Sequence, residues 1–154
     1  LILTATWAGE DSDESKANRD KAAGTAIAEG AGPIAETMLP LLLAPETYAE
    51  QPDLVEFARE MMLETSTDGI VGALAAMRDR PDSRPDLPGL DVPTLILHGA
   101  DDQIIPMDEA EAMEKALPQA KLVVVPGAGH LPNLENPEVF NDAVREFLEI
   151  FYED

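Results

Sequence analysis

The sequence predicts an α/β fold in which three parallel strands carry flanking helices and an inserted helical cap. Three observations lead there. A short apolar, β-prone run, Leu1-Ile2-Leu3-Thr4-Ala5-Thr6-Trp7, opens the chain. A purely helical pattern follows from about Ser12 to Arg80. The remainder then alternates strand and helix over Pro93–His98, Met107–Leu117, Lys121–Pro126 and Pro137–Phe151. Alternation at this spacing means parallel strands joined by right-handed crossovers. The expected organisation is a first core strand over 1–11, a helical cap over 12–85 and a C-terminal α/β core segment over 86–154.

Each element has a local reason. Gly9 and the acidic cluster from Glu10 to Glu14 stop the opening strand. Ser12 or Asp13 caps a first helix that runs through Ala28 and is ended by Gly30. Pro33 opens a second helix with Ile34, Met38, Leu41 and Leu42, and Pro40 is expected to kink or break it. Pro52-Asp53 starts a third, with Leu54, Phe57, Met61 and Met62 on one face. Thr67-Asp68 starts a fourth, with Ile70, Val71, Leu74 and Met77. The Pro- and Asp-rich stretch from Arg80 to Pro93 reads as a linker or surface loop.

Composition excludes several classes of function. The 154 residues amount to one average domain with room for a core. With no cysteine there are no disulfides, no thiolate zinc site and no Cys nucleophile, which fits a cytoplasmic protein. No apolar stretch approaches the roughly 18 residues a membrane span needs. The chain opens at Leu1, inside an apolar run and without Met, which points to a truncated, processed or excised segment. Thirty-one acids against 10 Lys+Arg give a formal charge of −21, so nucleic acid and anionic membranes are poor partners. The acids are spread over helix faces. They read either as a solvated, highly soluble surface or as adaptation to high salt, where self-repulsion is screened.

The chemistry concentrates after two strands. In open parallel sheets, ligands and catalytic groups gather beyond the carboxyl ends of strands. Asp102 lies three residues after Gly99 on the loop leaving one strand, and His130 follows Gly127-Ala128-Gly129 at the end of the next. Their separation, 130 − 102 = 28 residues, is about one αβ unit, so the two come from adjacent strands within hydrogen-bond reach. A carboxylate there holds the histidine with Nδ1–H facing it and stabilises the imidazolium formed when Nε2 takes a proton.

Leu95-Ile96-Leu97-His98-Gly99-Ala100-Asp101-Asp102-Gln103-Ile104-Ile105-Pro106 resembles the acid loop of the α/β-hydrolase superfamily, with the strand leading into it. Gly127-Ala128-Gly129-His130-Leu131-Pro132-Asn133-Leu134-Glu135-Asn136-Pro137-Glu138 resembles its histidine loop, and is especially similar to the 3-oxoadipate enol-lactonase and non-haem perhydrolase branches. The opening Leu1–Ser12 resembles the strand and acidic turn that lead into the cap of enol-lactonase-like members. The resemblance is strong over residues 92–150 and a matter of pattern over the cap. It implies a partial α/β-hydrolase fold, with Asp102 the triad acid, His130 the general base and Asp101 a neighbour that the family lets vary. It also implies a small ester or lactone as substrate and no cofactor.

The departure is large. The family's N-terminal half holds the early strands, the oxyanion-hole loop and the Gly-x-Ser-x-Gly elbow, and no such motif occurs in this chain. Ser12, Ser15, Ser66 and Ser83 all fall in caps or loops. Two readings follow. In one, the chain is the Asp–His part of a serine hydrolase whose nucleophile lies elsewhere, in a second polypeptide or an upstream region; an Asp nucleophile, as in dehalogenase relatives, is a minor variant. In the other, it is a catalytically inactive half-fold that self-associates or binds small apolar ligands. In both, the open edge of the Leu1–Trp7 strand needs a cover, either the missing N-terminal half or a second copy of the chain.

The remaining candidates are apolar. Met38 and Met61 are expected to face substrate under the cap. Trp7, where strand meets cap, is either a core anchor or a pocket wall. His98 is expected to pack at the strand end or line a pocket. Two histidines and no Cys argue against zinc, and Asp101-Asp102 supplies too few ligands for a hard cation.

Overall fold

A computed structural model describes residues 1–149. Within them the chain forms strand β1 (Ile2–Thr4), helices α1 (Asp13–Glu29), α2 (Gly32–Leu42), α3 (Pro45–Glu50), α4 (Pro52–Glu64) and α5 (Thr67–Asp79), and strand β2 (Thr94–Gly99). Helix α6 (Met107–Ala116), strand β3 (Ala120–Val125), and helices α7 (Pro132–Glu135) and α8 (Pro137–Glu149) complete it. The last two residues of the helix expected over Pro137–Phe151 lie outside the described residues.

The sheet has the order β1-β2-β3 with both pairings parallel. Its central strand β2 is buried at every residue, as a parallel strand covered on both faces must be. Side-chain alternation divides it between two cores. Ile96 packs with Leu87, Ala110, Met113 and Leu117 on the α6 side. Leu95 and Leu97 pack with Val125, Ala128 and Phe147 on the α8 side. Strand β1 bonds to β2 alone among the described residues, and Leu1 and Ile2 at this open edge are exposed.

The strand expected over Leu1–Trp7 is shorter than its apolar run. Ala5, with φ 45, turns the backbone into the left-handed region and ends the ladder after its N–H has bonded Leu97 O at 2.9 Å. The four helices expected between the first two strands are five. Pro40 does not break α2, which continues two residues past it to Leu42. The break falls at Leu43 and Ala44, both extended, and Pro45 in the first turn then opens α3. The expected linker contains a 3-10 turn over Arg84–Gly89, whose Leu87 is buried in the core beneath α6.

The helical segment is tied to the sheet at its entry and exit. Asp11, fully buried, accepts from Arg19 Nε at 3.0 Å on α1 and from Arg80 at 3.1 Å just after α5. The Arg80 guanidinium lies 4.6 Å from the centre of the Trp7 ring. Burial alone would raise the Asp11 carboxyl pKa, but Arg19 and Arg80 outweigh it and hold it below the usual value.

Candidate active site

Two loops meet at the carboxyl end of the sheet because β2 ends in glycine. A Cβ on Gly99 would lie 2.0 Å from Gly129 O and 2.3 Å from Ala128 O, so only glycine lets the loop after β3 cross there. The crossing is fixed by Ala100 N–H to Val125 O and Asp101 N–H to Ala128 O, both 2.9 Å. Gly127, at φ 65, makes the turn out of β3.

Asp102 sits in this crossing with its side chain 1% exposed. Its Oδ1 accepts the amides of Ile104 at 2.8 Å and Ile105 at 3.0 Å. Its Oδ2 accepts from His130 Nδ1 at 2.9 Å. Burial works to raise the Asp102 pKa. The His130 hydrogen bond and the two amides more than offset it, so the carboxyl is held below its ordinary value. Since a carboxylate only accepts, Nδ1 carries the proton, and the Nε2 of His130 is left as a bare acceptor when the ring is neutral. The His130 side chain is 23% exposed, enough for a reacting group to reach it.

His98 belongs to the same constellation. It is fully buried, its Nε2–H donates to Ile105 O at 3.0 Å, and that nitrogen lies 3.8 Å from Asp102 Oδ2. It thus braces the turn that presents the Ile104 and Ile105 amides to Asp102. Two further residues escaped the sequence reading. Gln103 donates from Nε2 to both Pro40 O and Leu43 O at 3.0 Å, linking the acid loop to the end of α2. Glu135 accepts from Gly129 N–H at 2.8 Å and from Ala44 N–H at 2.7 Å. The signal for Glu135 was an acid in the first turn after a Pro-opened helix, a place from which a carboxylate reaches back to loop amides.

The apolar candidates come from other elements. Trp7 lies against Arg80 and lines a cavity of about 240 Å³ with Leu3, Leu87, Met113 and Leu117, beside β1. Met38 is half-buried on α2 and Met61 is exposed on α4. Met62 packs on the Ala35, Leu39 and Ala58 cluster together with Leu131 of the histidine loop. A second cavity, about 320 Å³, opens between α8 and the amino ends of β2 and β3, away from Asp102. Ser12 and Ser66 are N-caps, Ser15 bonds Ser12, and the Ser83 amide donates to Ala8 O. No group of three or more His, Cys, Asp or Glu that could hold a metal occurs among the described residues. Nor is any helix among them long and apolar enough to cross a membrane.

A parallel sheet whose second and third strands deliver an acid and a histidine to one hydrogen bond is the arrangement of a known class, and residues 3–143 match the alpha/beta hydrolase family. The chain belongs to that family. Among solved structures it is similar to a thermophilic esterase from Thermogutta terrifontis, at 44% identity and TM-score 0.93, over 97% of this chain and 55% of that one. It is similar also to the enol-lactonase from Burkholderia xenovorans LB400, at 26% identity and TM-score 0.85, over 96% of this chain and 55% of that one. By sequence, 3-oxoadipate enol-lactonase 2 of Acinetobacter baylyi is 27% identical over 123 residues, 80% of this chain and 45% of that protein. The chain thus spans roughly half the length of these relatives.

Proposed function

We propose that this chain supplies the acid–base part of a carboxylic ester or lactone hydrolase. The observation that carries the proposal is the buried Asp102, held by two amides and bonded at 2.9 Å to His130 Nδ1. His130 Nε2 removes the proton from a nucleophile hydroxyl as it attacks the substrate carbonyl. Asp102 stabilises the resulting imidazolium without itself taking the proton. His130 then returns the proton to the leaving alkoxide, and in the second half-reaction it activates the water that releases the acid. The esterase and enol-lactonase relatives support this substrate class. Trp7, Met38 and Met61 are proposed as apolar groups facing the acyl or alkyl part beneath the cap formed by α1–α5.

The nucleophile is proposed to be a serine outside this sequence, since the Ser12, Ser15 and Ser66 hydroxyls serve helix caps and Ser83 stands in the loop before the 3-10 turn. The open β1 edge and the apolar groove beside it, lined by Leu1, Leu3, Leu87 and Met113, form the surface that the nucleophile-bearing half would cover. A cytoplasmic location is part of the same proposal, resting on the absence of cysteine.

The same open edge favours a second reading, in which two copies pair β1 to β1 and the Asp102–His130 pair is inherited without turnover. Intact-mass analysis after treatment with a serine-reactive fluorophosphonate separates the two. A labelled companion polypeptide, with labelling lost on His130→Ala, is expected. A preparation containing only this chain, unlabelled, overturns the enzymatic reading in favour of the second.

A further inference from the structure

The loop that carries His130 is held less by the sheet than by the helices. His130 N–H donates to Leu42 O at 2.9 Å, so its backbone is bonded to the end of α2. Glu135 then spans the gap between the two segments. Oε1 accepts Gly129 N–H at 2.8 Å and lies 3.4 Å from Leu131 N, the two residues flanking His130, while Oε2 accepts Ala44 N–H at 2.7 Å. Gly129 is in such close approach to this junction that a Cβ there would meet Ala44 N at 2.6 Å. Gln103 bonds Pro40 O and Leu43 O from the acid side.

We infer that Glu135 is a positioning residue: its carboxylate locks the histidine loop to the α2–α3 junction and thereby sets the direction in which His130 presents its imidazole to Asp102. The inference rests on the acid–base reading of Asp102 and His130. Its chemistry is that of a clamp needing two acceptors. Gly129 and Ala44 both present N–H donors toward the same side chain, and only a carboxylate offers an oxygen to each. A carboxamide accepts on one side and puts an NH₂ against a donor on the other. A consequence is that the junction after α2 moves with the catalytic loops as one body, although it lies within the helical segment. Any opening of the cap must then flex elsewhere among its helices.

Proton NMR and amide exchange on the full chain and its variants test this. The unsubstituted chain is expected to show a low-field imidazole Nδ1–H resonance that disappears in both Asp102→Asn and His130→Ala. In Glu135→Ala that resonance broadens or is lost, and the Gly129 and Ala44 amides exchange about tenfold faster or more, while the Leu95 and Leu97 amides of β2 keep their protection. Glu135→Gln keeps one of the two loop amides protected and frees the other. Should Glu135→Ala fail to fold, which loss of the β2 protection would reveal, Glu135→Gln decides. The inference is overturned if Glu135→Gln leaves both amides within about twofold of the unsubstituted chain, or if a folded Glu135→Ala keeps the imidazole resonance sharp. Absence of that resonance from the unsubstituted chain overturns the Asp102–His130 pair together with the positioning role built on it. A failure confined to Glu135 looks different, because the unsubstituted chain then shows the resonance and the variants retain it.

Discussion

Replacing Asp102 with Asn and with Ala separates the two tasks its carboxylate performs. Oδ1 serves the Ile104 and Ile105 amides, and Oδ2 serves His130. Asparagine keeps an oxygen for the amides but turns an NH₂ toward the imidazole; alanine leaves all three donors without a partner. A buried donor left unsatisfied costs about 1–3 kcal/mol. The two amides therefore account for roughly 2–4 kcal/mol that Ala loses and Asn retains, on the lower half of that range because the chain can relax. Loss of the charge-assisted His130 bond adds about 1–2 kcal/mol in Ala and less in Asn, whose NH₂ donates to a deprotonated Nδ1, both discounted because water reaches the partly exposed ring. Urea unfolding at pH 7 should thus place Ala some 2–4 kcal/mol below Asn, a gap of about 5–15 °C in Tm for a chain of this size. On the proposed hydrolase reading, activity measured with a nucleophile-bearing partner present should order differently. Asn fixes the proton on Nε2, the wrong nitrogen, so kcat should fall by about 10⁴ even though the fold is nearly intact. That loss is about 5–6 kcal/mol of barrier. Equal unfolding free energies for Asn and Ala, within about 0.5 kcal/mol, would refute the assignment of the two oxygens.

Gly99→Ala should be among the most destabilising single methyl additions in the chain, because its Cβ would lie 2.0 Å from a backbone oxygen that cannot rotate away. A loss of about 3 kcal/mol or more, with the low-field imidazole resonance gone, is expected by denaturation and NMR. Asp11→Asn should cost about 3–5 kcal/mol, since Arg19 and Arg80 would be left with a buried neutral partner, and simultaneous replacement of both arginines should recover part of it. Acid titration of stability should show both carboxylates. The folded-state pKa values of Asp11 and Asp102 lie below the unfolded value of about 3.9, so their contribution is complete well above that pH and is lost as the pH falls through the folded values. In Asp102→Asn the acid limb of the curve should be shallower. Ile2→Lys, placing a charge at the open β1 edge, should shift any self-associated form toward monomer in sedimentation velocity without loss of helix signal.

The part of this site legible in the sequence is the part that a parallel sheet dictates. Register places the carboxyl ends of β2 and β3 side by side, with Gly99 opposite Val125, so loops leaving them must meet. An acid and a histidine one αβ unit apart then fall together, and the glycines before each mark where backbone crosses backbone. The helices were legible wherever a cap or proline announced them. They were misjudged where two signals competed: Pro40 looked like the break, yet the chain breaks at Leu43, after which Pro45 starts a helix of its own. What stayed illegible is how the loops are held. The first turn of α7 marks Glu135 as able to reach nearby loop amides, but its bond to Ala44 across 91 positions, like that of Gln103 to Pro40 across 63, leaves no period, cap or turn signature. His98 was ambiguous for a related reason, since a histidine at the end of an apolar strand reads the same whether it fills space or braces the turn that holds Asp102. On the proposed reading Asp102 and His130 answer to the reaction, whereas Glu135, Gln103 and His98 answer to whichever segment each must hold. A change in the length or path of the α2–α3 junction should therefore be accompanied by change at Glu135 and Gln103, and leave the Asp102–His130 pair untouched.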